Sequence, residues 1–444
     1  SENTTAERLA VYARDPQMAV RRSALAIMLS HQETALLPAP AMRRQAPSAG
    51  SGQVWEMLDG LVHSANAADR ILAAGVIGEI EKRGRDRDTA NYVVVEELLA
   101  LLGDGDGRVV RAALAGSAHT CSPEVWAAMI PALAGQSTCS EAVNALSAGG
   151  DDVLPLLQAA CQVVDQDPRI VAGIAKVCGR IGGADAVDIL KSLAAHPDAT
   201  VRRQTLLGLS RCAYEAEAEE RAAVKEQFNL SAAALAQISA AQADIGDAAQ
   251  VRLTADALEQ RRETETDNLL LLLSFLDEPQ TVLGAREALR LGDGDEETRA
   301  YAIEMLDILL EHDLKSALFP FIQHLAAQER VDAFQKQFPQ TLLGRRQRLD
   351  ALVTGEDDRW TRICAIYGLS LVHDVVDEAA AKAASAVLET AVRFSHDPVL
   401  VETALASLES LGVCPESIDD PALGEGMEQW RARDPQGMTL LQKV

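Results

Sequence analysis

Residues 195–210 read AHPDATVRRQTLLGLS, and this stretch decides the fold because variants of it recur along the chain. Asp198 follows a turn and precedes apolar residues at helical spacing, which is typical of a helix start. There a carboxylate accepts hydrogen bonds from exposed backbone N–H groups. Val201 and Arg202 follow, and Thr205 stands three positions beyond the arginine. The stretch therefore predicts a turn followed by an amphipathic helix.

The same phrase recurs at intervals of 49 residues from Arg21 to Arg70, 41 from Arg70 to Arg111, and 91, or two units, from Arg111 to Arg202. Such a period is typical of arrays of two-helix repeats. We expect each aspartate to cap a second helix and each arginine to reach the aspartate of a neighbouring repeat. The predicted ladder, a structural feature and not a catalytic one, comprises Asp15, Arg21, Arg70, Asp106, Arg111, Asp198, Arg202, Asp295, Arg299, Asp358 and Arg362.

A second phrase places proline inside an apolar segment, at residues 130–133, 154–157 and 319–322. Proline removes a backbone hydrogen bond and bends a helix. Together the two phrases resemble the HEAT-repeat family, and residues 170–210 resemble its phycobilisome-lyase-like subgroup most. The resemblance implies an all-α fold, an α-solenoid of HEAT-type two-helix repeats.

The second half resembles the HEAT module of bacterial membrane proteins that are similar to nucleotide carriers. Its residues 259–262, 268–276, 285–289, 299–310 and 360–369 carry this resemblance. In that group a transporter-like part precedes the HEAT array, and a cyclic-nucleotide-binding domain often follows it. The resemblance implies that any transport or nucleotide function belongs to segments outside this chain.

Composition shifts predict three segments. Residues 1–213 form an N-terminal HEAT sub-array, with a loop rich in Pro, Ala, Ser and Gly at about 38–53. Residues 214–267, rich in Ala, Glu, Gln and Arg, are expected to form a long-helix connecting segment. Residues 268–444 form a C-terminal HEAT sub-array, whose last helix is expected to lead into a domain beyond this chain.

The formal net charge of −25 excludes a general nucleic-acid-binding role, although a local basic stripe remains open. The seven cysteines are scattered through apolar stretches, as in proteins whose thiols stay reduced, and the start of the chain lacks a secretion signal. We therefore expect a cytoplasmic protein, with membrane association only through a missing N-terminal part. No pattern predicts its oligomeric state.

The sequence predicts no catalytic, cofactor-binding or metal-binding site. Residues 293–304 place Asp293, Asp295, Glu297 and Glu304 at calcium-loop positions, but Thr298 stands where that loop needs glycine. The histidines lack a second ligand at helical spacing, and no nucleotide-binding loop or nucleophile elbow occurs. His196 directly precedes a turn phrase, which favours a role in the turn.

These observations favour a non-catalytic scaffold whose partners are proteins or flanking domains of the same polypeptide. In its specific form, the scaffold couples a membrane transporter-like part to a cyclic-nucleotide-sensing domain. The alternative is a bilin lyase acting on light-harvesting subunits, which the subgroup resemblance implies. A HEAT-like DNA glycosylase is a third hypothesis, and the negative charge opposes it.

Overall fold

The computed structural model describes residue 12 and residues 17–32, 51–85, 94–290, 296–355, 358–371, 378–395 and 397–412. Every regular element within these ranges is helical. The all-α prediction is confirmed, and the chain is an α-solenoid. It divides into two compact units, Ser1–Tyr214 (unit 1) and Glu215–Val444 (unit 2).

Unit 1 is built from helix pairs joined by short turns. Its α-helices are α1 Met18–Gln32, α2 Ser51–Val62, α3 Ala67–Arg85, α4 Val95–Leu102, α5 Gly107–Gly116, α6 Pro123–Met129, α7 Cys139–Ser147, α8 Leu154–Cys161, α9 Pro168–Ile181, α10 Gly183–Leu193 and α11 Ala199–Arg211. The predicted loop at 38–53 lies outside the described residues except for 51–53, which begin α2.

Two layers of helices result from this pairing. The second helices of the pairs, α1, α3, α5, α7, α9 and α11, pack one after another, each against the next. The first helices, α2, α4, α6, α8 and α10, lie on one side of them, and each packs against the second helix of its own pair. Apolar residues of both layers, such as Leu98, Leu114 and Ile174, are fully buried between them. Each pair therefore completes its core with its neighbours, as repeat arrays do.

The prolines of the second phrase act at three different places. Pro131 lies in a 3₁₀ helix, Ile130–Ala134, that continues directly from α6. Pro155 lies in the first turn of α8, which follows the 3₁₀ helix Gly150–Val153. Pro320 lies inside a helix of unit 2. The first-turn position costs no hydrogen bond, because the N–H there has no helical acceptor.

Unit 2 begins with two long helices. They are α12 Arg221–Ile245 and α13 Arg252–Ser274, followed by α14 Pro279–Arg290, α15 Glu296–Leu309, α16 His312–Ile322, α17 Ala327–Phe334, α18 Arg345–Thr354, α19 Arg359–Leu371, α20 Glu378–Phe394 and α21 Pro398–Ser410. Helices α12 and α13 pack against each other, and α18, α19, α20 and α21 form paired repeats beside them.

The leucine run at 269–273 forms the carboxyl-terminal part of α13, and its members are at most 4% exposed. The helix passes through the predicted boundary at 267/268, so the long-helix segment and the leucine run are one element. It ends at Ser274, before Pro279, which instead begins α14. The predicted closing helix at 438–444 lies outside the described residues.

Candidate interaction surface

Helices α5, α9 and α11, which are second helices of unit 1, begin at capping aspartates. Oδ1 of Asp106 accepts a hydrogen bond from the N–H of Arg108 (2.9 Å), and Oδ1 of Asp198 accepts from those of Thr200 (2.8 Å) and Val201 (3.0 Å). In unit 2, Asp358 caps α19 in the same way, and its Oδ1 accepts hydrogen bonds from the N–H groups of Trp360 (3.0 Å) and Thr361 (3.1 Å). Asp15 and Asp295 of the predicted ladder lie outside the described residues.

The arginine four positions after a cap binds backbone carbonyls near its own turn. Nη1 of Arg70 donates to the carbonyl of Ser64 (2.8 Å), and Nη1 of Arg202 donates to that of His196 (2.8 Å). Nε of Arg362 donates to the carbonyl of Val353 (3.3 Å) in unit 2. Arg70 and Arg202 thereby connect the turn before a helix to its first turn, and Arg362 connects the end of α18 to the first turn of α19.

The remaining predicted arginines differ in their surroundings. Arg111 stands five positions after Asp106, one residue later than Arg202 stands after Asp198, and its side chain is exposed. Arg21 is half-buried, and its Nε has no hydrogen-bond partner. Nη2 of Arg299 donates to the carbonyl of Ile322 (2.5 Å).

Two Asp–Arg pairs connect one repeat to the next. Arg70 on α3 binds both carboxylate oxygens of Asp104, in the turn before α5, at 2.5 and 3.1 Å. This hydrogen bonding lowers the pKa of Asp104. Arg359 on α19 binds Asp397, which caps α21, and it likewise lowers the pKa of that carboxyl. The aspartates in both pairs are ones that the predicted ladder does not contain, and a ladder along the whole array stays a prediction.

The exposed side of the second helices follows a common register. Counted from the cap, positions 2, 5 and 9 of α5, α9 and α11, and position 13 of α9 and α11, lie along one side of each helix, as 3.6 residues per turn require. All of these residues except the buried Ala172 are exposed or half-buried. We call this side the second-helix face. Its basic members are Arg108, Arg111, Arg169, Lys176, Arg180, Arg203 and Arg211, of which Lys176 and Arg203 are half-buried and the others are exposed. Helix α7 contributes the exposed neutral residues Ser140 and Asn144.

Charges of opposite sign are separated between the two layers. From Gly107 to Arg211 the second helices carry eight basic side chains and one acidic side chain, Glu141. Between Val95 and Leu193 the first helices and their 3₁₀ segments carry one basic side chain, Lys191, and seven acidic ones: Glu96, Glu97, Glu124, Asp151, Asp152, Asp185 and Asp188. The second-helix face is therefore a basic surface in an acidic protein.

Glycines allow neighbouring second helices to approach closely. A Cβ added to Gly78 on α3 would lie 2.6 Å from Cα of Gly116 on α5. One added to Gly179 on α9 would lie 2.6 Å from Cα of Gly208 on α11. Gly78 and Gly179 each stand twelve positions after the residue that caps their helix, Asn66 or Asp167. The sequence did not assign these glycines a packing role, although glycine inside a helix is a usable signal of close approach.

A cluster of arginines in unit 2 surrounds the carboxyl-terminal end of α16. Arg262 donates to the carbonyl of Phe321 (3.3 Å), Arg299 to that of Ile322, and Arg330 to that of Leu325 (2.5 Å). A helix carboxyl terminus carries partial negative charge, which guanidinium groups stabilise.

A chain of side-chain hydrogen bonds completes this cluster. Arg330 donates to Gln242 (2.8 Å), Gln242 donates to Glu259 (2.8 Å), and Arg262 binds both oxygens of Glu259 at 2.5 and 2.9 Å. Burial, together with the charge of Arg262, lowers the pKa of Arg330. The cluster joins α12, α13, α16 and α17, and we assign it a structural role.

Three of the cysteines, Cys161, Cys178 and Cys364, lie in environments that suppress thiolate formation. Burial raises the pKa of Cys178 and of Cys364 to about 12 and that of Cys161 to about 11. A nucleophilic or metal-binding thiol needs a shift in the opposite direction. These three thiols act as small packing groups.

Within the described ranges, no group of three or more His, Cys, Asp or Glu side chains could hold a metal ion. The calcium template includes Asp293 and Asp295, which lie outside those ranges. Nδ1 of His196 accepts a hydrogen bond from the N–H of Asp198 (3.1 Å), so this histidine shapes the turn. No helix among the described residues has the length and apolar character needed to cross a membrane.

Comparisons with solved structures return importin beta in an ammonium sulfate condition, at 15% identity and a TM-score of 0.28, covering 93% of this chain and 51% of that one. A second is a structure in which Kap95p binding induces the switch loops of RanGDP to adopt the GTP-bound conformation, at 14% identity and a TM-score of 0.27, covering 99% and 53%. The chain spans about half the length of each.

Among curated proteins, none has a sequence that matches this chain significantly. The family model that matches describes HEAT repeats, and the match covers residues 136–210. This range includes α7, α8, α9 and α10 and nearly all of α11. Residues 136–210, which lie within an all-α solenoid, therefore match the HEAT-repeat model.

Proposed function

We propose that this protein is a non-catalytic scaffold that binds other proteins through the second-helix face of unit 1. A stacked array contacts mainly its own nearest neighbours and leaves a long exposed surface, which suits extended partners. The separation of charge between the two layers is the observation that carries the proposal. Packing of the array does not require basic residues on one layer and acidic residues on the other, whereas recognition of a partner does.

Site-specific photo-cross-linking in the cells that make the protein tests this proposal. A photoreactive residue replaces Ala115 or Thr200, which are exposed on the second helices α5 and α11. Matched controls replace Ala127 on α6 and Ala184 on α10, which are exposed on the first helices. We expect protein adducts at the first two positions and none at the controls. Equal adduct formation at all four positions, or adducts at none, would contradict the proposal.

A finer form of the proposal is that the scaffold belongs to a larger transporter-like membrane protein. There it would lie on the cytoplasmic side of the inner membrane and couple the transporter part to a cyclic-nucleotide-sensing domain. The resemblance carried by residues 259–262, 268–276, 285–289, 299–310 and 360–369 supports it. Reading the residues encoded on either side of this chain tests it. We expect a transporter-like sequence before this chain and a nucleotide-binding sequence after it. Unrelated flanking sequences would contradict this finer form of the proposal.

The alternative of a bilin lyase is supported by the resemblance of residues 170–210 to the phycobilisome-lyase-like subgroup. If it holds, incubation of the protein with bilin and an apo light-harvesting subunit yields a covalent coloured adduct. The scaffold proposal expects no adduct in that incubation.

A further inference from the structure

We infer that the second-helix face binds an acidic polypeptide segment whose carboxylates fall into two groups. The inference rests on the proposed scaffold function and names the class of its partner. It follows from the charges that the face presents, from their spacing across the helices, and from the side chains between them.

The cations of the face are only partly neutralised. Arg108 and Arg169 pair with the carboxylates of their own caps, at 2.8 and 2.7 Å. Arg180 donates to the amide oxygen of Asn144, and Nζ of Lys176 lies 4.0 Å from Sγ of Cys139, so these two cations contact neutral groups. An external carboxylate can pair with these two cations without displacing a carboxylate of the protein, and each such exposed pair contributes up to about 1 kcal/mol.

The overall negative charge does not oppose such binding at this face. Unit 1 contains 24 acidic and 20 basic residues, a difference of −4, whereas unit 2 contains 42 and 21, a difference of −21. Interactions between exposed charges are screened beyond about 10 Å at 0.1 M salt. The local excess of basic side chains on the second helices therefore decides which ligands approach the face.

The spacing of the cations predicts the spacing of acidic residues in the partner. One basic group lies on α5 and the other on α9 and α11, and helix α7 between them carries no basic residue. Packed helices lie about 8–10 Å apart, so α5 and α9 are separated by roughly 16–20 Å. An extended chain spans about 3.3 Å per residue. About five or six residues therefore separate the two acidic groups of the partner.

The side chains between the cations favour a polypeptide over single-stranded nucleic acid. Helices α5, α7, α9 and α11 contain no aromatic residue, and bases bind most single-strand sites by stacking on aromatic rings. Small and aliphatic residues occupy the intervening positions, among them the exposed Ala115 and the half-buried Leu207. These suit the backbone and the short apolar side chains of an extended peptide.

Fluorescence anisotropy with the full chain tests the inference. The probe is a labelled synthetic peptide with two groups of four glutamates separated by six Ser and Gly residues, and the control peptide replaces each Glu with Gln. We expect the Glu peptide to bind at about 0.1 M salt, to bind more weakly as salt rises, and to bind more tightly than the Gln peptide. Absence of binding by the Glu peptide overturns the inference.

Charge reversal locates the site. The triple variant Arg111→Glu, Arg180→Glu, Arg211→Glu is expected to weaken binding at least about tenfold, since each exposed charge contributes up to about 1 kcal/mol. Lys191→Glu, on the first-helix layer of the same unit, is the matched control and is expected to leave binding within about twofold. A second triple variant with Gln at the three positions keeps the test valid if the Glu variant fails to fold. Unchanged binding by a folded triple variant, or equal loss in Lys191→Glu, overturns the inference.

Two further outcomes separate the alternatives. A labelled single-stranded DNA of equal charge that binds more tightly than the peptide would identify a nucleic-acid surface and overturn the inference. If photo-cross-linking at Ala115 and Thr200 yields protein adducts while the Glu peptide does not bind, the scaffold proposal stands. In that case only the inference that the partner is acidic is overturned.

Discussion

Single residues shape unit 1 in two ways, by capping its second helices and by leaving space between them. Asp106 and Asp198 satisfy N–H groups that have no acceptor within the helix, and loss of such a cap costs about 1 kcal/mol. Gly179 and Gly208 bring two backbones together where any side chain would collide. Capping determines where a helix begins, and the glycines determine how closely neighbouring second helices pack.

Replacing Gly179 with Ala is expected to destabilise the protein by about 1–3 kcal/mol, because the new methyl group meets backbone atoms that cannot move aside. The shift in the midpoint of chemical denaturation measures the effect. Gly60→Ala is the matched control, since Gly60 lies in helix α2 with no atom near its Cβ position. The control is expected to stabilise the protein slightly, by up to about 1 kcal/mol. Equal destabilisation by both variants would refute the role of close approach.

Replacing Asp104 with Asn removes the carboxylate that holds Arg70 across two repeats. At pH 7 we expect a loss of about 1–3 kcal/mol in the free energy of unfolding, because the guanidinium keeps only part of its hydrogen bonding. The folded-state pKa of Asp104 lies below its ordinary value of about 3.9, so its contribution is complete above that pH. It is lost as the pH falls through the folded-state pKa.

The difference in denaturation midpoint between Asp104→Asn and the unsubstituted protein should therefore narrow as the pH is lowered from about 4. Asp151→Asn, at an exposed acidic position of the first-helix layer, serves as the control. A difference between Asp104→Asn and the unsubstituted protein that persists at the lowest pH would show that the ion pair is not its source.

At the scale of helices, the sequence predicted their existence better than their ends. Asp198 and Asp358 were identified as caps because the chemistry of a helix start is local. The sequence did not predict that Asp104 is the partner of Arg70. The path of the whole turn determines whether Asp104 or Asp106 faces this arginine. Arg111 stands one residue further from its capping aspartate than Arg202 does. Its side chain therefore lies on the exposed second-helix face.

The long helix α13 shows how tertiary burial extended an element beyond its predicted limit. Its amino-terminal part is polar and its carboxyl-terminal part is almost entirely leucine, so composition alone placed a boundary at 267/268. One helix satisfies both parts, since the polar part is largely solvated and the leucines are buried among other helices of unit 2. A uniform run of leucines has no hydrophobic periodicity, so it does not indicate which side of the helix faces the core.

Truncation of Leu271 to Ala in α13 is expected to cost about 2–5 kcal/mol, because its side chain is fully buried and would leave a cavity. Leu253→Ala in the same helix is the matched control, since Leu253 is 38% exposed. We expect the control to cost less than about 1 kcal/mol. Denaturation midpoints compare the two variants, and similar losses would mean that burial of the leucine run is not what stabilises α13.

Across the whole molecule, charge is distributed unequally between the two units. Unit 2 holds most of the negative excess, −21 against −4 in unit 1. Self-repulsion opposes a compact state and is reduced by salt. The total charge of −25 does not show how the charge is divided, and the separation within unit 1 depends on which helices form each layer.

Raising the salt concentration from about 0.05 to 0.5 M is therefore expected to stabilise unit 2 more than unit 1, because more repulsion is screened there. Amide hydrogen exchange resolved along the chain measures this as a larger gain in protection over residues 215–444. Sodium sulfate and sodium chloride at equal ionic strength separate screening from general salt effects. An equal gain in both units would contradict the charge argument.

The glycine contacts of unit 1 have a mechanical consequence. They join α3 to α5 and α9 to α11, whereas α7, between these pairs, contains no glycine. Under tension along the array, we expect unit 1 to part first at α7, because its neighbours are held there by side chains alone. A partner that binds both α5 and α9 would span α7. It would therefore stiffen the array at the position where we expect it to separate first.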